Sequence, residues 1–270
     1  MKVIKLLPLI LSAVVALTSC KKELDFEYHD IPALPVIEGC LTPDGVRVSL
    51  TATTPMGEAM DRTRYTNAQM SLLDLTSGES VTLLPDAENY FTAPIEGVPG
   101  HDYQLSVSRD GRQYSAVATM YDAPTWLSLE FNWISMPYDD VAVLQGKFLE
   151  DPAVPDECFW IRIYRNGEIY LWAAMDDRSS DNGVLTFSIM TSRRDVDEED
   201  DDEVLYDGDT VSCTLCRISR AMLEYLDALG NDSNGPVMFT GDIALGYFMA
   251  TTPTSLSIDF HPDLIPNYND

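Results

Sequence analysis

The sequence predicts an all-β protein: two β-sandwich domains, the first immunoglobulin-like or transthyretin-like, with one short helix near the C-terminal end. Three observations carry this expectation. Apolar and polar residues alternate in many short runs, as half-buried strands require. Gly, Pro, Asp and Asn cluster between those runs as turns. Helical spacing of apolar residues is clear in one place, after Ser219.

The first domain is expected over residues 34–122. Pro35–Leu41 is a short apolar run, and Pro43-Asp44-Gly45 turns it into Val46, Val48, Leu50 and Ala52, which alternate with Arg47, Ser49 and Thr51. That is a hairpin with one buried face. Ala68, Met70 and Leu72 alternate next, and Ser77-Gly78-Glu79 leads into Val81–Leu84. Tyr90 and Phe91 fit another short strand. Tyr103, Leu105 and Val107 follow the turn at Pro99–Asp102, and Asp110-Gly111 is a hairpin turn into Tyr114, Ala116 and Ala118.

The second domain is expected over residues 123–270, with Ala123-Pro124-Thr125 as hinge. Its strands begin with Leu127, Leu129, Phe131 and Trp133, then Val141 and Val143 with Gly146–Leu149. Phe159, Ile161 and Ile163 alternate with Trp160, Arg162 and Tyr164, and Asn166-Gly167 turns the chain into Ile169–Ala174. Val184–Met190 and Asp209–Ile218 complete the regular part. The helix is expected at about 219–229, with Ser219 as N-cap, Met222, Leu223, Leu226 and Leu229 on one face, and Gly230 stopping it. Val237–Ala250 is an aromatic, Gly-bearing β stretch, and Leu256, Ile258 and Phe260 form a last strand. No internal duplication is evident.

Ahead of these domains, residues 1–19 read as a lipoprotein signal: Lys2 and Lys5, then an apolar stretch over Leu6–Leu17, then small residues before Cys20. The apolar stretch is shorter than the ~20 residues that span a bilayer. Leu17-Thr18-Ser19-Cys20 resembles the bacterial lipobox, which implies that Cys20 is the lipidation site. Residues 20–33 are expected to be a tether. Its acids Glu23, Asp25 and Glu27 resemble the surface-export signals of Bacteroidetes lipoproteins, although Lys21 and Lys22 come first.

The formal net charge of −27 argues against nucleic acid, whose phosphates call for basic patches. It argues equally against lying flat on an anionic leaflet. Carboxylates fill eight of the nine positions 195–203. A calcium loop is the sharper reading of that run, but EF-hand glycine and glutamate spacing is missing, and a solvated exposed loop is expected.

Past Cys20 there are four cysteines: Cys40, Cys158, Cys213 and Cys216. Cys213 and Cys216 have the spacing of a redox pair. On a strand they point to opposite faces, so buried structural thiols are expected. A pairing of Cys158 with Cys213 or Cys216 stays open. The three histidines, His29, His101 and His261, lack ligand spacing. No Gly-x-Ser-x-Gly elbow, phosphate-binding glycine loop or dinucleotide fingerprint occurs. Asp176-Asp177 and Asp181-Asn182-Gly183 could offer oxygens to calcium, though polar turns are the expectation. Hence no catalytic, cofactor-binding or metal residue is assigned. Trp126, Trp133, Trp160 and Trp172, with Tyr164 and Tyr170, crowd the second domain. Most are expected in the core, and any that are exposed would suit stacking on sugars or partner proteins.

Four segments, in order, carry a family resemblance: Val36-Ile37-Glu38-Gly39, Pro99–Leu105, the Ile218–Leu229 helix and Gly241–Phe248. Together they resemble the domain-of-unknown-function family 4249 of Bacteroidetes cell-envelope lipoproteins. In that family the last segment follows Asn-Pro and ends in Gly-x-Phe; Asn234-Gly235-Pro236 and Gly246-Tyr247-Phe248 approximate this. The resemblance implies an accessory role beside a TonB-dependent outer-membrane transporter, with a glycan, peptide or other nutrient as ligand, and brings no active site. The expectation is therefore a non-enzymatic, lipid-anchored outer-membrane protein, at the cell surface or on the periplasmic face. An extracellular glycan- or peptide-acting hydrolase using paired carboxylates, and an adhesin-like structural protein, are the alternatives.

Overall fold

The computed structural model describes residues 32–55, 58–59, 61, 63–137, 140–193, 204–231, 233 and 235–266. The segment expected to be a signal, most of the expected tether and the acidic run 195–203 lie outside the described residues. As expected, the described residues are all-β with one α-helix near the C-terminal end.

The first module begins with β1 (Pro35–Thr42) and β2 (Gly45–Ala52), the predicted hairpin. β3 (Gln69–Asp74), β4 (Ser80–Pro85), β5 (Phe91–Ala93), β6 (Asp102–Arg109) and β7 (Arg112–Tyr121) follow. Their alternation places Ile37, Leu41, Val48, Leu50, Leu72, Tyr103 and Leu105 inside, each with no exposed surface.

The second module is a sandwich of two sheets. β8 (Thr125–Ser135), β9 (Asp140–Leu149) and β12 (Val184–Arg193) form one, in the order β12-β9-β8. β10 (Cys158–Arg165), β11 (Glu168–Asp176), β13 (Thr210–Ile218) and β16 (Thr254–Asp259) form the other, in the order β11-β10-β13-β16. This is the immunoglobulin-type strand arrangement. Phe148, Phe159, Ile161, Leu185 and Leu215 are fully buried in its core. The two halves expected of β9 are one strand.

The chain does not divide between these modules in sequence order. Between β13 and β16 lie the helix α1 (Arg220–Gly230), β14 (Thr240–Gly241) and β15 (Leu245–Thr251). β15 runs parallel to β1, from Val36 opposite Leu245 to Leu41 opposite Ala250. Its end also pairs with β7, at Met120 and Tyr121. The first module thereby becomes a closed ring, β7-β15-β1-β2-β5-β4-β3-β6, with β6 pairing back onto β7. A boundary at Asp122 would strip that ring of β15, because β1 lacks any other neighbour on that side.

The hinge expected at Ala123-Pro124-Thr125 is similarly doubled. Thr252 donates from its N–H (3.1 Å) and its hydroxyl (2.9 Å) to the Tyr121 carbonyl. The Thr254 hydroxyl donates to the Pro124 carbonyl (3.1 Å), and Trp126 Nε1 donates to the Thr254 carbonyl (3.4 Å). Two chain crossings tied together leave far less torsional freedom than one.

Helix α1 starts where expected, with the Ser219 hydroxyl accepting from the Met222 N–H (3.2 Å). It buries Met222, Leu223 and Leu226 in a third core with Cys158 and Cys216 of the second module and Met249 of β15. Cys213 faces the sandwich core and Cys216 the helix side, so β13 separates the two thiols. None of Cys40, Cys158, Cys213 and Cys216 forms a disulfide.

Gly246 is the tightest point of the closure. Its φ is +99°, and a Cβ there would sit 2.0 Å from the Ile37 carbonyl oxygen. Gly246→Ala is expected to cost about 3 kcal/mol or more, from backbone strain plus overpacking against β1. Chemical denaturation checks this: a variant within 1 kcal/mol of the parent would show that the β1–β15 pairing tolerates separation.

Candidate binding groove

A broad groove of about 830 Å3 lies on the outer face of the first module, across β4, β3, β6, β7 and β14. Alternation makes it. Met70, Leu72, Leu83, Leu105, Val107, Tyr114 and Ala116 point into the ring, so their neighbours point outward. Strand register then sets those neighbours in line: Thr82 opposite Ser71, Ser71 opposite Ser106, Ser106 opposite Ser115, and Ser115 opposite Thr240. Five hydroxyls therefore cross five strands in a row, spanning about 19 Å at the usual ~4.8 Å strand spacing.

Longer side chains flank the row. Gln69 and Gln113 stand on one side and Leu73 and Gln104 on the other, two positions away along the strands. Short residues between longer ones give a trough. Gln104 Nε2 donates to the Ser115 hydroxyl (2.8 Å), and the Thr240 hydroxyl donates to the Ser115 carbonyl (3.1 Å). Leu84 is 66% exposed at the outer edge. Gly241, at φ +97°, lets β14 approach β7, since a Cβ there would lie 2.4 Å from the Gln113 carbonyl oxygen. No Asp, Glu, Lys, Arg or His is among the residues lining the groove. The trough offers hydrogen bonds without charge.

The strands that carry the trough are pinned at one end by Asp74, the last residue of β3. Its Oδ1 accepts from the N–H groups of Thr76 (2.8 Å) and Ser77 (3.1 Å), and its Oδ2 lies 2.8 Å from His101 Nδ1. Burial pushes this carboxyl up, but the hydrogen bonds from His101, Ser77 and Thr76 outweigh it and hold it at about 2. Tyr103 completes the corner, its hydroxyl accepting from the Val98 N–H (2.9 Å).

The residues singled out in the sequence are dispersed. Cys20, His29 and the run 195–203 lie outside the described residues. His101 serves the Asp74 corner, and His261 Nδ1 meets Asp207 on the surface (2.8 Å). Asp176 faces the guanidinium groups of Arg178 and Arg220, and the Arg178 hydrogen bond, set against burial and joined by Arg220, draws its carboxyl well below the usual range. Asp177 accepts from the Glu157 N–H (2.8 Å), and Asp181 accepts from the Asn182 amide (2.8 Å). Those carboxylates are occupied by turns and ion pairs. Among the described residues, no three His, Cys, Asp or Glu side chains gather as a metal site.

Burial pushes the Cys213 thiol up to about 12 and the Cys158 thiol up to about 11, so neither is a nucleophile near neutral pH. The aromatic lead mostly resolves into packing. Trp133 is buried and donates to the Pro262 carbonyl (3.1 Å), Trp126 meets Phe148 and Phe187 edge-on, and Trp160 meets Tyr247. Trp172 is 40% exposed beside Gly230.

A family model described as "Domain of unknown function (DUF4249)" matches residues 21–257. The chain belongs to the DUF4249 family. No curated protein matches it. Solved structures similar to this DUF4249 chain include a two-domain fibronectin type III segment from chicken tenascin, at 11% identity, covering 84% of this chain and 99% of that one with a TM-score of 0.24. A cytokine receptor complex is 9% identical, with 82% and 94% covered and a TM-score of 0.26. The chicken CNTN1 FN1–FN3 domains are 9% identical, with 85% and 66% covered and a TM-score of 0.23. At such scores the strand order of the chain itself carries the fold.

Because the Asp74 carboxyl is depressed, its stabilisation is complete above the ordinary carboxylate range and is lost as pH falls from about 4 toward about 2. Asp74→Asn is expected to lower unfolding free energy by about 1–3 kcal/mol at neutral pH. Denaturation of both proteins across pH checks the sign: the gap must close in acid, and a constant gap contradicts the charged corner.

Proposed function

We propose that this DUF4249 protein is a non-enzymatic, lipid-anchored outer-membrane component that binds a ligand and assists a TonB-dependent transporter. The observation that carries the binding part is the groove: a wide, uncharged trough on an otherwise strongly acidic chain. A surface left without function on such a chain would be expected to share its carboxylates. The lining also lacks the acid pair that a glycoside hydrolase places around its scissile bond, which favours binding over turnover.

The anchoring part rests on Leu17-Thr18-Ser19-Cys20, where an apolar segment too short to span a bilayer ends in a lipobox-like Cys. The transporter partnership rests on the family's setting, and the cell surface is the favoured face because acids follow Cys20 closely. One experiment tests anchoring and partnership together. The full-length protein is expected in the outer-membrane fraction and, after detergent extraction, with a transporter. Cys20→Ser should move most of it to the soluble fraction. Membrane retention of that variant would sink the anchor, and recovery of the parent without any transporter would sink the partnership.

A further inference from the structure

The groove's chemistry is specific enough to name a ligand class. Its lining is uncharged, so it holds no cation to compensate an anionic polymer and no carboxylate to pair with a cationic one. The surrounding chain, at −27, repels polyanions further. Its three middle strands, β3, β6 and β7, are already paired on both sides, as the in-register partners of Ser71, Ser106 and Ser115 require. A peptide binding by strand addition needs a free edge several residues long, and the edge at this end of the trough, β14, has two residues. Beside apolar atoms of Ala68, Leu84 and Pro85, it offers hydroxyls repeated at strand spacing along one line and flanked by amides, each both donor and acceptor.

The volume of about 830 Å3 is within the range of small-molecule sites. The hydroxyl row runs across five strands for about 19 Å, so the ligand it suits is linear. Leu84, exposed at the edge, provides an apolar contact for the C–H face of a ring. We propose that the trough across β4, β3, β6, β7 and β14 binds a neutral linear oligosaccharide, lying across the strands and hydrogen-bonded by the Ser71–Ser106–Ser115 row. The proposal rests on the reading of the protein as a binding component and supplies its substrate class. No exposed aromatic ring floors the trough, so binding is weak, with Kd on the order of 0.1–1 mM per short oligosaccharide.

The test is titration of the full-length, detergent-solubilised protein with neutral hexasaccharides of glucose, mannose, xylose and galactose. A hexagalacturonate and an uncharged hexapeptide serve as comparators. At least one neutral hexasaccharide is expected to saturate. Ser106→Trp, which fills the middle of the trough from an outward position, is expected to weaken it more than tenfold. The milder Ser71→Ala/Ser115→Ala pair should weaken it three- to tenfold, with an unchanged unfolding midpoint, and keeps the test valid if the tryptophan disturbs folding. The absence of any saturable neutral saccharide, equal binding of the galacturonate, or binding insensitive to both sets of variants would overturn the assignment. Binding of the hexapeptide alone, lost in Ser106→Trp, would overturn the saccharide class while leaving a binding component. Cys20→Ser release and transporter recovery report on the wider reading independently.

Discussion

Six residues of β1 lie in parallel beside six of β15, and the first module exists as a closed ring because of that pairing. Parallel pairing requires a crossover, and here the intervening chain is the rest of the first module, β2–β7, followed by nearly the whole second module. Closure removes the edge that β1 would otherwise present, with its row of unpaired N–H and C=O groups. It also sets the chain crossings at Asp122–Pro124 and Thr252–Pro253 side by side, and places β15 where α1 can pack against it. Glycine at 246 is what lets the strands approach: its positive φ and the nearness of the Ile37 carbonyl leave no room for a side chain.

The segments that carry the family resemblance meet at this closure. Val36-Ile37-Glu38-Gly39 is the direct register partner of Leu245-Gly246-Tyr247-Phe248. Gly39 admits the Phe248 ring, which a Cβ would meet at 3.0 Å, and Leu105 of the Pro99–Leu105 segment lies just beyond. The helix, the remaining segment, buries Met222, Leu223 and Leu226 in the core that Tyr247 and Met249 border. Motifs that are each weak in sequence are thus contacts of one another in space.

Elsewhere the chain tolerates costly burial at the base of the second module. Glu157 and Arg217, 2.6 Å apart, are almost wholly buried, and burial pushes the Glu157 carboxyl up despite the opposing Asp151 hydrogen bond and the Arg217 charge. Such a pair contributes little net stability, yet loss of either partner alone strands the other charge. The groove follows the opposite logic, keeping hydrogen-bonding groups at the surface and excluding charge. In a protein with 44 carboxylates, an uncharged trough crossing five strands is a local exception to the composition.

How much of this was legible beforehand depends on the range of the interaction. The strands of both modules, the turn at Asp110-Gly111, the Ser219 cap and the opposite facing of Cys213 and Cys216 follow from alternation, turn chemistry and helical spacing, which are local. The lipobox-like segment and the acidic balance are likewise properties of the chain alone. The ring was not legible, because nothing near Val36 states that Leu245 will lie beside it. The trough was hidden for the same reason: Thr82, Ser71, Ser106, Ser115 and Thr240 are ordinary outward residues of separate strands. Alternation by itself determined that they face out; register, set by pairings across as many as 125 positions between Ser115 and Thr240, decided that they form one line.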